Sequence, residues 1–430
     1  MTINLENMKK WIPLIIVVAA VIIIVGIANV GKSKDNAGRH AENKAIKFNT
    51  HIYIENSGSM DGYVNGNTEF KDAIDHVLVM LNTTYGSPEI SFVNSQILPT
   101  GLSKDITQFS RQLSPSSLHV GDTGSSNINN IFNMILNKTD DNTVSVLVSD
   151  CVYSIHGNDA GGLLAHEKNL TQGAFMGAIK KRNNDLATIV LQCSSNFDGY
   201  YYDMNDKPIL YRGRRPFYMI FVGKTAYIKD LYAKIELDRE HMDNLMNSYM
   251  ISSQEVDYGI DSASIITDEY TSNIDRIKPD KNDLGISSME LEGNGKFTMA
   301  VGFDASAIFV DKSYLTDKNN YSVDPQNVKI KAIGLVDKNS AAYGDCSSFA
   351  LPYYIQFECA GQPSDITLSL DYKMPKWVYD SSTDNDSGRV PKENVTFGIS
   401  YMIEGISEAY RVTNPSQSIF KIKFNIENYK

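Results

Sequence analysis

Residues 48–62 read FNTHIYIENSGSMDG, and this stretch decides how the rest of the chain is read. Residues 48–55 form a short β run that ends on a carboxylate, Glu55. The chain then turns through Ser57-Gly58-Ser59. Two hydroxyls at i and i+2 of a tight turn can face one point, and a glycine between them lets the backbone turn. A strand that delivers oxygen donors at its carboxyl end is the usual plan of a ligand-binding α/β sheet.

The surrounding sequence fits that plan. Residues 68–81 (TEFKDAIDHVLVML) place Phe70, Ile74, Val77, Leu78 and Leu81 at helical spacing. Residues 90–93 read as a strand, and residues 126–136 as a helix opened by Ser and Asn residues suited to capping. Residues 143–148 (TVSVLV) are apolar at nearly every position, as in a strand buried on both faces. Helices at 170–181 and 225–235 alternate with strands at 187–192 (ATIVLQ) and 217–222 (FYMIFV). The alternation predicts an α/β domain over residues 48–240: a doubly wound, mostly parallel sheet with helices on both faces.

After residue 240 the texture changes. Residues 241–290 are mixed and read as a connector. Within 291–430, β runs at 296–301, 328–333, 353–357, 366–370, 395–402 and 419–426 are separated by turn residues at 293–295, 317–320 and 380–388. This pattern predicts a C-terminal all-β sandwich domain.

Three segments carry chemistry. They are Glu55-Asn56-Ser57-Gly58-Ser59-Met60-Asp61-Gly62, Gly124-Ser125-Ser126-Asn127 at the opening of the third helix, and Ser149-Asp150 after TVSVLV. In this order and spacing the chain resembles the von Willebrand factor A (vWA) domains. Their metal-ion-dependent adhesion site (MIDAS) combines a D-x-S-G-S-M loop, a loop threonine and a T-D-G segment. The resemblance implies Ser57 and Ser59 as direct ligands, Ser126 as the loop hydroxyl, and Glu55 and Asp150 as carboxylates acting largely through water. It also implies an open metal position for an acidic group on a protein partner. Five hard oxygens suit a divalent cation such as Mg²⁺, with Mn²⁺ or Ca²⁺ as alternatives, and do not suit zinc. Glu55 stands where the family has Asp, Ser126 where it has Thr, with Thr123 as a second candidate, and Cys151 where it has Gly.

The expected function is therefore a binding module that captures a carboxylate on a protein partner. Two alternatives use the same residues: a vWA adaptor subunit of a larger ATPase-associated or defence complex, and a metal-dependent hydrolase. No GxSxG, HExxH or P-loop motif occurs, and no His is placed by sequence logic to activate Ser57, so an enzyme is not expected.

Ahead of this domain, residues 1–10 form a tail. Residues 11–30 (WIPLIIVVAAVIIIVGIANV) carry no charge and suffice to cross a hydrocarbon core of about 30 Å. They predict a transmembrane helix followed by a polar linker at 31–47. Lys9 and Lys10 favour an exported protein, whereas Lys32, Lys34, Arg39, Lys44 and Lys47 favour the reverse. The short MKK-plus-apolar start reads as a signal-anchor, so the expected localisation is a single-pass membrane protein with its bulk outside the cytoplasm.

The 430 residues are 42% hydrophobic and 21% charged, with net charge −11, which describes a folded protein. No stretch is basic enough for a nucleic-acid groove, so no nucleic-acid partner is expected. Cys151, Cys193, Cys346 and Cys359 show no CxxC spacing. They read as buried thiols, with disulfides 151–193 and 346–359 as the sterically allowed alternative. Tyr200, Tyr201 and Tyr202 read as a loop before Arg212, Arg214 and Arg215, either as an interface or as a cover for the sheet edge. His156, His166 and Asp61 read as solvated.

Overall fold

The computed structural model describes residues 46–426 apart from 104, 125, 156–158, 255, 258–261, 268–269, 271–277, 281–284, 289–292, 294 and 362–364. The apolar run at 11–30 lies outside the described residues. Among the described residues no helix is long and apolar enough to cross a membrane. The longest of them, Ala160–Lys181, is interrupted by Glu167 and Lys168 and ends on Lys180 and Lys181. The single-pass membrane localisation is corrected on that finding.

The chain is mixed α/β. Its first sheet has seven strands: β1 (Asn49–Glu55), β2 (Glu89–Val93), β3 (Ile97–Pro99), β4 (Thr143–Ser149), β5 (Ala187–Tyr202), β6 (Pro208–Gly223) and β7 (Leu245–Ser252). Their order is β3-β2-β1-β4-β6-β5-β7. β1 pairs in parallel with β2 and β4, but the other four pairings are antiparallel. The expectation of a mostly parallel sheet is thus corrected to a mixed one. The cause is a hairpin. β5 and β6 pair from Ala187↔Gly223 to Tyr202↔Pro208 across one short turn, and so tight a connection can only join antiparallel strands. Residues 200–202, expected in a loop, lie on this hairpin.

Helices α1 (Glu69–Tyr85), α2 (Ile128–Lys138), α3 (Ala160–Lys181), α4 (Thr225–Lys234) and α5 (Ile399–Thr413) supply most of the cover. Successive strand residues point to opposite faces. Ile52 and Ile54 therefore join Phe70, Ile74, Val77 and Leu78 of α1 in one core, while Tyr53 joins α2, α3 and α5 in another. Each large apolar side chain so buried contributes about 1.5–3 kcal/mol.

Residues 395–402 differ from expectation. Only Thr396–Phe397 is extended, pairing with Ser382–Thr383. Gly398 then takes φ 72 and α5 begins. Ile399, Met402, Ile403, Ile406, Ala409 and Tyr410 recur at three- and four-residue spacing and are all buried. A Cβ on Gly405 would lie 2.6 Å from the Lys168 carbonyl oxygen, so a side chain there would push α5 off α3. The Tyr410 and Thr188 hydroxyls are 2.7 Å apart, tying α5 to β5.

The remaining chain is β-rich. Val328–Leu335, Pro352–Ala360, Lys296–Asp304 and Ala263–Ile266 lie in that order in an antiparallel sheet. A second sheet orders Lys278–Asp280, Gly285–Ser288, Ser418–Ile426, Ile366–Asp371 and Tyr321–Asp324, with Val256–Asp257 beside Ser418–Ile426. Phe297, Met299, Ile355 and Phe357 of the first share one core with Leu368, Phe420 and Ile422 of the second. All four cysteines are free and buried, so the disulfide alternative is set aside.

Candidate functional site

Because β1 and β4 are parallel neighbours, with Ile54 opposite Val148, they end at the same sheet edge. Glu55 is thereby set beside Ser149 and Asp150. The Ser149 hydroxyl donates to Glu55 Oε2, and the Ser57 hydroxyl donates to Glu55 Oε1 at 2.7 Å. The Ser57 and Ser59 hydroxyls are 2.9 Å apart, and Ser59 hydrogen-bonds the Asp150 carboxylate. One polar chain therefore runs Ser149–Glu55–Ser57–Ser59–Asp150. The Gly58 N–H donates to the Thr123 carbonyl at 3.1 Å, which brings in the second loop. Asn127 Oδ1 accepts from the Asn130 N–H at 2.9 Å and starts α2 directly after Ser126.

Ser57, Ser59, Thr123 and Ser126 line one cavity of about 350 Å³. Glu55 and Asp150, 1% and 4% exposed, lie behind its serines. The three segments far apart in sequence thus meet at one place. Asp61 and His119 also line the cavity, with His119 Nε2 2.9 Å from Asp61 Oδ2. Asp61 Oδ1 and Asn56 Oδ1 are buried with no hydrogen-bond partner among the described residues. Ser125 and His156 lie outside the described residues, and His166 is on α3.

Burial, and then the neighbouring Glu55 charge, push the Asp150 carboxyl up to about 7; the Ser59 hydroxyl, the Val152 N–H and Arg215 act in the opposite direction. Cys151 takes φ 54, the left-handed region, where the resembled family keeps glycine. Its thiol is held well above the usual range by burial.

The far wall of the cavity is not visible in the sequence pattern. Tyr202, Asp203 and Asp206 line it from the tip of the β5–β6 hairpin. The Gly388 N–H donates to Asp203 Oδ2 at 2.7 Å, and Asp386 accepts from the Tyr201 hydroxyl and from the Met204 N–H. Arg215, expected among surface arginines, is 1% exposed. The 217–222 strand is uniformly apolar and residues 212–215 are Arg-Gly-Arg-Arg, so no alternation carries that strand back to residue 208. Nothing in the local sequence announces the contact with residues 386–388.

Among the described residues no group of three or more His, Cys, Asp or Glu side chains is placed to hold a metal ion. The sequence-based assignment of a metal centre is corrected to that extent: the carboxylates Glu55 and Asp150 meet serine hydroxyls here, and the acidic and imidazole groups that also line the cavity do not form a metal-holding cluster with them. No protein-family model, no curated protein and no solved structure matches the chain.

Proposed function

We propose that the chain is a binding protein in which Glu55, Ser57, Ser59, Ser126 and Asp150 hold a divalent cation, Mg²⁺ before Mn²⁺ or Ca²⁺, and capture an acidic group of a protein partner. In this reading residues 48–240 are a vWA-like, doubly wound domain with a MIDAS-type site, and residues 291–430 contribute a β-sandwich. The reading is supported by apolar cores on both faces of the first sheet and by the single core shared by the two later sheets.

The observation that carries the proposal is the polar chain from Ser149 through Glu55, Ser57 and Ser59 to Asp150, at the back of a cavity that Ser126 also lines. The donor set fits a hard cation: hydroxyl and carboxylate oxygens with no thiol or imidazole among them. Two carboxylates buried together raise one another's energy, and Asp61 Oδ1 is a further buried oxygen without a partner among the described residues. When bound, the cation supplies Lewis acidity toward an incoming carboxylate oxygen. The chain's own residues do the rest. Ser57 and Ser59 line the cavity with their hydroxyls bonded to the acids, Glu55 and Asp150 provide the charge behind them, and the start of α2 holds Ser126 at the wall.

Calorimetric titration of the full chain with MnCl₂ tests the proposal. Binding by the unaltered protein is expected, with loss in Ser57→Ala and a weakening of about 10–100-fold in Asp150→Ala. Equal heats in all three proteins would end it. Retention of partner protein on the immobilised chain, abolished by EDTA, tests the bridging role.

A further inference from the structure

A strand at the edge of a sheet presents a row of main-chain N–H and C=O groups with no partner strand. β7 is such a strand: it ends the order β3-β2-β1-β4-β6-β5-β7 and, among the described residues, pairs only with β5. Its register shows which groups are free. The Ser253 N–H donates to the Leu186 carbonyl at 2.9 Å, one step beyond the pair Ala187↔Ser252. Residues along an antiparallel pair alternate between bonding the partner strand and facing away from it. From Asn247 to Ser253 the odd-numbered residues therefore bond to β5, and Ser248, Met250 and Ser252 turn their main-chain groups outward.

Two outward carbonyls are already used. The Ser252 carbonyl accepts from the Tyr372 hydroxyl at 3.1 Å, and the Met246 carbonyl, beyond the register shift at Gln192–Cys193, accepts from Arg239 Nη2. Between them Ser248 and Met250 each present one N–H and one C=O, and the two residues stand about 7 Å apart. Among the described residues no other main chain bonds to these groups.

This window opens into a cavity of about 1140 Å³, lined by Ser248, Tyr249 and Met250. Met250 belongs to the core on one face of the sheet, against which Tyr232 packs. Tyr249 belongs to the core on the other face, against which Met374 and Trp377 pack. Tyr232, Met374 and Trp377 line the same cavity. Successive residues of a strand point to opposite faces. A strand laid along β7 would thus set its side chains alternately against Tyr232 and against Met374 and Trp377.

Charge narrows the occupant. Arg239, Lys312, Lys373 and Lys376 are interspersed on the cavity wall with Asp238, Asp311 and Asp317. Asp311 accepts from the Ser248 hydroxyl at 2.7 Å, Asp238 pairs with His241, Lys373 with Asp371 and Lys376 with Asp380. Both signs are present and most are engaged, so the wall favours neither a polyanion nor a polycation. An uncharged main chain, with one donor and one acceptor per residue, matches the free groups.

We propose that the window between Met246 and Ser252 takes an extended, uncharged segment of a partner protein as an eighth strand, by β-strand addition. Main-chain bonds to Ser248 and Met250 hold the segment, and the walls on the two faces select uncharged side chains. No bound cation takes part.

The experiment titrates the full chain, in EDTA, with the capped peptide acetyl-Thr-Val-Thr-Val-Thr-amide up to millimolar concentration, in the unaltered protein, S248P and S248A. Proline removes the outward N–H of residue 248 without touching the bonds to β5, a change that edge strands tolerate. S248P is expected to bind the peptide about tenfold more weakly, and S248A, which keeps the N–H and loses only the hydroxyl, should stay within about threefold. With peptide present, amide exchange in the unaltered chain should slow at Ser248 and Met250 and stay unchanged at Asn247 and Tyr249. That measurement decides the matter if S248P does not fold. Absence of binding by the unaltered chain overturns the proposal, as does equal binding by S248P or an equal loss in S248A. A dimer of the unaltered chain that S248P dissociates would assign the edge to a second copy and overturn it too. The use of EDTA keeps each of these results separate from the fate of the cation reading.

Discussion

The two ends of the seven-stranded sheet treat polar groups in opposite ways. At the amino end a cavity of about 490 Å³ is lined by His51, Glu89, Lys138 and Asp140. There His51 Nε2 is 3.0 Å from the Ser91 hydroxyl and Nδ1 is 3.6 Å from Glu89, whose side chain is 74% exposed. Asp140 accepts from the Thr143 hydroxyl and the Asn142 N–H, and these donors hold its carboxyl below the usual range. At the carboxyl end Glu55 and Asp150 are buried together, and Asp150 is held above the usual range. The same strands, β1 and β4, run through both ends. The same sheet thus carries solvated, donor-satisfied acids at one end and two acids buried together at the other, and it is the buried pair that the proposed function uses.

The comparison is broken or sharpened by four experiments. The largest effect is expected from Asp150→Ala, which should weaken Mn²⁺ binding by about 10–100-fold, whereas Glu89→Ala should leave it within experimental error. A matching loss in both, read by calorimetry, would erase the distinction between the ends.

The second effect concerns pH. A carboxyl whose folded pKa is raised holds its proton more tightly when folded, so stability is fullest below the unfolded value near 3.8 and is lost as pH rises toward about 7. A tenfold difference in proton affinity between the folded and unfolded chain corresponds to about 1.4 kcal/mol. Asp150→Asn should therefore raise the melting temperature at pH 8, by an amount on the order of 2 kcal/mol in stability, and leave it nearly unchanged at pH 4. A rise of equal size at both pH values would remove the electrostatic account.

Third comes the residue after Asp150. At φ 54 a non-glycine side chain costs roughly 1 kcal/mol. Cys151→Gly should consequently be less destabilising than Cys151→Ala, although glycine removes more buried atoms. The order of the two denaturation midpoints decides this. The smallest effect is expected from Glu89→Gln, since exposed ion pairs contribute about 0–1 kcal/mol. A melting shift beyond that range would show that the amino end is under more tension than its geometry indicates.

Much of the first sheet is legible in the sequence. The TVSVLV run is a buried strand, and residues 68–81 lie within α1 but for the first. Glu55, Ser57, Ser59, Ser126 and Asp150 are singled out by the resemblance of their three segments to a known family, and the fold brings those segments to one cavity. Two elements escape such a reading for the same reason. In residues 395–402 (VTFGISYM) the apolar and β-branched residues crowd as in a strand. The helical repeat emerges only when Ile406, Ala409 and Tyr410 are included. Tyr200, Tyr201 and Tyr202 read as a loop because Gly199 precedes them and Gly213 stands among the arginines that follow, so no strand pattern announces the β5–β6 hairpin.

Sequence by itself determined what depends on local chemistry: the hydroxyl-rich turn after β1, the carboxylates that end strands, and the apolar stripes that drive α1 and α2 onto the sheet. Tertiary structure alone decided that Arg215 is buried, that Asp386 and Gly388 brace the hairpin tip, and that α5 returns to cover the first sheet. Hydrogen bonding and charge act over a few ångströms of space. The partners in these contacts are separated by well over a hundred residues of chain, and no periodicity or composition records which of them will meet.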